Sequence, residues 1–391
     1  MTRSALALGL TLGLAACLDQ TPLDPTLWEH LDVVEDSVVL DARVTYLGGE
    51  ELPVLAAADA AGGGASYKMK QVARVDPPVV AGVQLQASHL VRDGSRAFVA
   101  YNVRGEVFRG AIDVFDKLND EDPRLRAQAL LYDSEVSAVD LSGGDLYLAT
   151  ATADESFRTP AVLEVMSVAN GAKALVSQRR VELSSFAGTG VKVYGGEIYA
   201  TSGSSGHLTV FDRSLNPVFT DALNDARAVD VTDRWVVAMR GTPGMLRVYD
   251  RRSRSRLRDI TLGGASTPNA KSSLFVLGDL AFAAAGDGGV VVANVATGEI
   301  VERVPAPRGP GVSVSNGLAW YKDLLFVANG EGGLWMAEAR TDLDRLGNGA
   351  PGFEIVGRID LKGSANFVDV KGDLLFVATG LAGLTIVEFD D

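Results

Sequence analysis

The chain of 391 residues has one cysteine, Cys17, and three histidines, His30, His89 and His207. A single cysteine excludes an internal disulfide and any cysteine-based metal cluster or catalytic pair in the body of the protein. The histidines are far apart and no HExxH pattern joins them, so a short-range zinc motif is missing too. A lone His89 beside a strand start is read as a packed, hydrogen-bonded residue. Basic residues are outnumbered, 36 against 50 acidic, for a net charge of −14. That balance argues against nonspecific binding of DNA or RNA, or of an anionic membrane surface by the body of the chain. No GxSxG elbow marks a hydrolase serine, and no GxGxxG or phosphate loop sits between a strand and a helix. Long apolar runs are absent. The one N-terminal stretch, within MTRSALALGLTLGLAACLDQ, is too short to span a bilayer as a helix.

What the chain has instead is glycine, 43 residues of it, and a repeat. Seven nine-residue stretches begin at Leu90, Val139, Val191, Val229, Leu274, Leu318 and Val368, and read LVRDGSRAF, VDLSGGDLY, VKVYGGEIY, VDVTDRWVV, LFVLGDLAF, LAWYKDLLF and VDVKGDLLF. The starts are 38 to 52 residues apart, a period that suits a β-propeller blade of four short antiparallel strands. Pairs such as Gly143-Gly144, Gly195-Gly196 and Gly372-Asp373 supply the tight turn after the first strand. Phe98, Tyr147, Tyr199, Val237, Phe282, Phe326 and Phe376 occupy one place in the second strand, suited to packing between blades. Third strands such as AIDVFD, LTVFD and LRVYD follow, then more polar fourth strands such as RLRDITL and EIVERV. The expected fold is all-β, a seven-bladed propeller over residues 66–391. The last unit lacks a fourth strand, and YKMKQVARVD at 67–76 resembles the missing piece. It is expected to pair with the last blade and close the ring, which protects strand edges from other chains.

Two residues before each unit start stand Ser88, Ser137, Thr189, Arg227, Ser272, Asn316 and Asn366, all polar. Innermost strands of a propeller converge on an axial tunnel, so these side chains are candidates to line it. Two readings stay open: they satisfy backbone groups at the strand starts, or they form a mouth for a ligand or ion. Arg227 and Lys271 add positive charge suited to an anion.

Other candidates are weaker. Asp342, Asp344 and Asn348 lie close together in DLDRLGNG, a spacing that calcium's preference for oxygen ligands allows, but the twelve-residue cation loop and its terminal glutamate are missing. Apart from calcium there, no cofactor is expected. RRSRSRLR at 251–258 places Arg251, Arg252 and Arg254 in a basic turn that could meet a partner's carboxylates or simply keep a hairpin hydrated. Phe108 and Phe157 fall in long connections and are candidate partner contacts, whereas Trp335 reads as core.

LAAC at 14–17 resembles the lipobox of bacterial lipoproteins. The resemblance implies a signal peptide over 1–16, cleavage before Cys17 and acyl chains on that cysteine. Each buried methylene adds roughly 0.8 kcal/mol to such an anchor. Leu18, where an inner-membrane retention signal has aspartate, favours the outer membrane. Residues 17–65 then form the junction to the ring: AAADAAGGGA at 56–65 reads as flexible linker and LDARVTYLG at 40–48 as a short strand, in an add-on hairpin.

GLAWYKDLLFVANGEGGLWMAEA (317–339) and FVDVKGDLLFVATGLAGLTIVEF (367–389) resemble LVIVD repeats of exported bacterial proteins. The resemblance covers about residues 86–391 and implies an extracytoplasmic propeller without agreed catalytic residues. The leading expectation is therefore a membrane-anchored binding or scaffolding protein that recognises an envelope protein or a surface glycan, with no nucleic acid among its partners. The alternative is a hydrolase, lyase or lactonase-like enzyme built around a polar or metal-containing channel.

Overall fold

The computed structural model describes residues 30–55 and 67–390, apart from 104, 106, 119–122, 170–173, 264–270, 308–310 and 348–351. Cys17, the 56–65 linker and Asn348 lie outside the described residues.

Seven antiparallel sheets follow one another around an axis, each a blade of four strands or, in the first and last, five. The innermost strands are Gln86–Asp93, Ser134–Ser142, Gly188–Tyr194, Ala226–Val231, Leu274–Leu277, Ser313–Tyr321 and Phe367–Lys371. Every repeat start identified in the sequence falls inside one of them. The apolar core is divided to match. Seven buried clusters form, and each joins two neighbouring blades. Phe282 of the fifth blade packs with Trp335 of the sixth, for example, and Phe326 of the sixth with Leu375 of the seventh. Trp335 is fully buried, as its place in an apolar strand implied. Because each wedge is shared, no blade can bury its faces alone, and the ring is the folding unit.

The ring closes as expected. Strand β3 is not the first in the chain: β1 (Leu31–Val34) and β2 (Val44–Leu52) precede it, and β3 covers Lys68–Val75. Lys68 pairs with Asp390 and Val75 with Leu384, so β3 is the fourth strand of the last blade. Its inward residues Met69, Ala73 and Val75 enter the core. Residues 44–48 of segment 40–48 open β2, which pairs antiparallel with β3, the next strand in the chain, as a hairpin on a long connection. β2 pairs along the outside of β3, while β1 pairs with the outer strand of the first blade, Leu31 opposite Leu131. Between them a short helix, α1 (Ser37–Asp41), is capped by Asp36, which accepts from the Val38 amide at 2.9 Å. It places Leu40, fully buried, in the wedge between the last and first blades. The junction thus bridges the seam where the ring is joined.

Candidate functional site

In an antiparallel blade, successive connections alternate between the two ends of the strands. The first and third turns of a blade lie at one face; the second turn and the link to the next blade lie at the other, where the inner strands begin. This assigns the candidate residues to faces. Phe108 and Phe157, in second turns, share the face with the inner-strand starts. Arg251, Arg252 and Arg254, between the strands Met245–Asp250 and Arg256–Thr261, are on the opposite face, as are Asp342 and Asp344, between Leu334–Ala339 and Phe353–Ile359.

At the inner-strand starts, Ser88, Ser137, Thr189, Arg227, Ser272, Asn316 and Asn366 surround one cavity of about 270 Å³, together with His89, Lys271 and Phe367. Several also staple blade to blade. Ser88 Oγ donates toward the Val136 carbonyl at 2.9 Å, Thr189 Oγ1 to the Ala226 carbonyl at 2.8 Å, Asn316 Nδ2 to Ala365 at 3.1 Å and Asn366 Nδ2 to Ala87 at 3.0 Å. In each case the acceptor immediately precedes the equivalent polar residue of the next blade. These four side chains satisfy a neighbour's carbonyl and also line the cavity. Arg227 is held by Asp225, with Nε 2.6 Å from Oδ1.

His89 packs its ring 3.9 Å from that of Phe367, and its Nδ1 accepts from the Val139 amide at 3.4 Å. Burial, reinforced by Lys271 and Lys192, lowers its pKa to about 3, so it is a neutral wall residue. Lys271 differs. Its Nζ is shielded from solvent and has no hydrogen-bond partner among the described residues, and neither do Ser272 Oγ and Asn316 Oδ1. Burial lowers the Lys271 pKa to about 8 against the attraction of Glu135, whose own pKa burial raises to about 7.

Further along the axis a second chamber of about 290 Å³ shares His89, Thr189, Arg227, Ser272 and Phe367 with the first. Its wall carries residues that sequence reasoning passed over: Asp140, Lys192, Asp230 and Asp369. They occupy the second place of the repeats VDL, VKV, VDV and VDV, and reading those letters as a column would have found them. Asp140 accepts from the Val193 amide at 2.7 Å and Asp230 from Val276 at 2.8 Å, in each case across to the next blade. Burial raises both acids' pKa values. Lys192 Nζ lies 3.6 Å from Asp230.

The loop aromatics are partly tucked. Phe108 lies 5.6 Å from Phe186, which is 58% exposed, and Phe157 lies beneath the Arg180 guanidinium at 5.0 Å. The basic turn is mostly committed within the chain: Arg251 packs over Tyr194 at 5.3 Å and donates to the Asp233 carbonyl, and Arg254 pairs with Glu197. Arg252 is exposed. Asp342 stands at the N-cap of a short 3-10 turn, Leu343–Arg345, and Asp344 lies within it. Among the described residues, no group of three or more His, Cys, Asp or Glu is placed to hold a metal ion.

His30 has the least expected position. It is buried at the rim of the first two blades, Nδ1 3.4 Å from Asp133 and Nε2 3.4 Å from Glu164, with Arg180 bridging Asp154 at 2.9 Å beside them. The two His30 contacts are charge contacts rather than aligned hydrogen bonds, whereas Arg180 Nη1 donates to Asp154.

No family model and no curated protein matches the chain. Solved structures do. A structure of U3-55K matches with a TM-score of 0.59 at 16% identity, covering 80% of this chain and 98% of that one. A chain of the mitotic checkpoint complex matches with 0.57 at 13% identity, covering 77% and 88%. BamB from Moraxella catarrhalis matches with 0.53 at 14% identity, covering 89% and 98%. At these identities the likeness establishes the class, a seven-bladed β-propeller. The particular protein is defined by its own features: a seam bridged by an N-terminal segment and a polar axial well with an unpaired lysine.

Proposed function

We propose that this chain is a lipid-anchored, extracytoplasmic propeller that binds an envelope protein through the face bearing the inner-strand starts. The observation that carries this reading is the exposed Phe186, packed on Phe108 and next to the connection that holds Val107, which is 47% exposed. Val312, at 64%, and Leu381, at 59%, project from other connections of the same face. Large aliphatic and aromatic side chains left in water on a rigid ring favour a protein surface over a glycan, because they gain by desolvation. Loops on a rigid scaffold are the usual place for recognition. One of the similar structures is a chain of a multiprotein complex, the mitotic checkpoint complex, which supports the reading by analogy of fold. The anchor rests on Cys17 in LAAC and the outer-membrane placement on Leu18. LVIVD-type repeats remain the repeat class that the last two units resemble.

The test is capture from intact envelopes with the anchored protein. The expected result is one reproducible protein partner that is lost with Phe186→Ser and retained with Arg252→Ser. Capture that survives Phe186→Ser, or binding to purified surface glycan in its place, would refute this reading.

A further inference from the structure

We propose that the axial well at this face is a binding site for a small hydroxylated carboxylate, a monosaccharide acid in size and chemistry, with Lys271 as its counter-charge. The proposal stands apart from the loop-face reading, because it concerns the cavity and not the rim.

Three unsatisfied polar atoms point to a ligand. Lys271 Nζ, Ser272 Oγ and Asn316 Oδ1 are all solvent-shielded and without hydrogen-bond partners among the described residues, and all three residues line the same cavity. A shielded ammonium without a partner is costly, since it has given up water and received nothing in return. Adjacent Ser272 and the neighbouring blade's Asn316 place a hydroxyl and an amide carbonyl beside it. The set is complementary: a cation and a hydroxyl for a carboxylate, and an acceptor, Asn316 Oδ1, for a ligand hydroxyl.

The charge count selects a monoanion. Arg227 on the preceding blade is already held by Asp225. Glu135, whose field reaches Lys271, opposes any accumulation of negative charge. With Glu135 partly ionised near neutral pH, the well offers at most about one positive charge, which suits a carboxylate better than a phosphate dianion or a polyanion. Size and shape agree. A volume of about 270 Å³ is near the lower end of small-molecule pockets and admits a single sugar-sized molecule. The rings of His89 and Phe367, packed with a 34° tilt, give an aromatic corner of the wall against which the C–H face of a pyranose can lie. Thr189, Ser137 and Asn366 complete a rim of groups able to exchange hydrogen bonds with further hydroxyls.

The experiment is isothermal titration of the purified full-length protein in detergent with glucuronate, glucose, acetate and inorganic phosphate. The expected result is saturable 1:1 binding of glucuronate, at least about tenfold weaker binding of glucose and acetate, and none of phosphate. Lys271→Met should weaken glucuronate at least about tenfold without lowering the thermal midpoint, because the removed ammonium makes no hydrogen bond among the described residues and its burial outweighs the attraction of Glu135. Ser272→Ala should weaken it by a smaller factor and keeps the test valid if the first variant misfolds. Binding of phosphate in preference to glucuronate, equal binding of glucose, or glucuronate affinity unchanged in Lys271→Met and Ser272→Ala would each overturn the proposal, as would no binding of any of the four.

Discussion

Arg92 of the first blade grips Asp369 of the last through two contacts, Nε to Oδ2 at 2.6 Å and Nη2 to Oδ1 at 3.0 Å. The residues are 277 apart in sequence, so this fork crosses the seam where the ring is joined. Asp369 also accepts from the Val370 amide at 2.8 Å. Bidentate pairs of this kind are among the stronger polar contacts. Asp369→Asn should therefore cost about 1–2 kcal/mol of stability. Chemical denaturation checks it, and a midpoint equal to wild type would show that the fork does not hold the seam.

The innermost strands approach too closely for a side chain at Gly317. A Cβ there would meet the Phe367 Cα at 2.6 Å, backbone against backbone across the sixth and seventh blades. Gly317→Ala should destabilise by about 1–3 kcal/mol through forced displacement of the next blade. By contrast, Gly372→Ala faces open space and is strained only by its positive φ of 59°. Thermal unfolding of the two variants should rank them in that order.

His30 makes stability depend on pH in a defined direction. Burial opposes its protonation, but Asp133 and Glu164 overcome it and raise the pKa to about 9. A raised histidine pKa stabilises the fold fully below the unfolded value of about 6.5, and that contribution fades as pH rises through about 9. Asp133 shifts the other way: despite burial, His30, Ser134 and Arg180 hold its pKa below the usual range, so its contribution fades as pH falls. The difference in unfolding midpoint between wild type and His30→Gln should be largest below about pH 6.5, shrink as pH rises from there, and be gone above about pH 9. A difference that grows with alkaline pH would contradict the charge clasp that fixes β1 to the first blade.

Carboxylate binding in the axial well should weaken as pH rises from 6 to 9. Lys271, at about 8, loses its charge in that interval, and Glu135, at about 7, gains one, so both changes oppose an anion. The Arg227–Asp225 pair and neutral His89 are the other titratable groups facing the well, with Lys192 further along the axis. Glucuronate affinity measured across this range should fall monotonically, and a rise with pH would exclude Lys271 as the counter-charge.

The blades were legible because each repeats an apolar pattern at a fixed turn, and closure was legible because YKMKQVARVD supplies the strand the last unit lacks. The axial ring was legible as a polar column two residues before each repeat. Other features were not. β1 is a short, half-polar edge strand whose partner lies far away in sequence, so no local period announces it, whereas β2 was legible only as a strand at 40–48 without its partner β3. His30 looks like a junction residue until Asp133 and Glu164, over a hundred residues later, are folded against it. Arg251 and Arg254 read as a free basic patch because the chain does not show that Tyr194 and Glu197 lie beneath them. The faces also eluded the sequence: Phe108 and the arginine turn were grouped as partner contacts, yet strand alternation sets them on opposite ends of the ring.

The most direct test of the binding face is photo-cross-linking in living cells. A photoreactive residue is placed in turn at Phe186, on the face with the axial well, and at Arg252, on the opposite face. A discrete cross-linked protein band from position 186 and none from 252 is the expected result. The same band from 252 alone, or from neither position, would contradict the assignment of that face to partner binding.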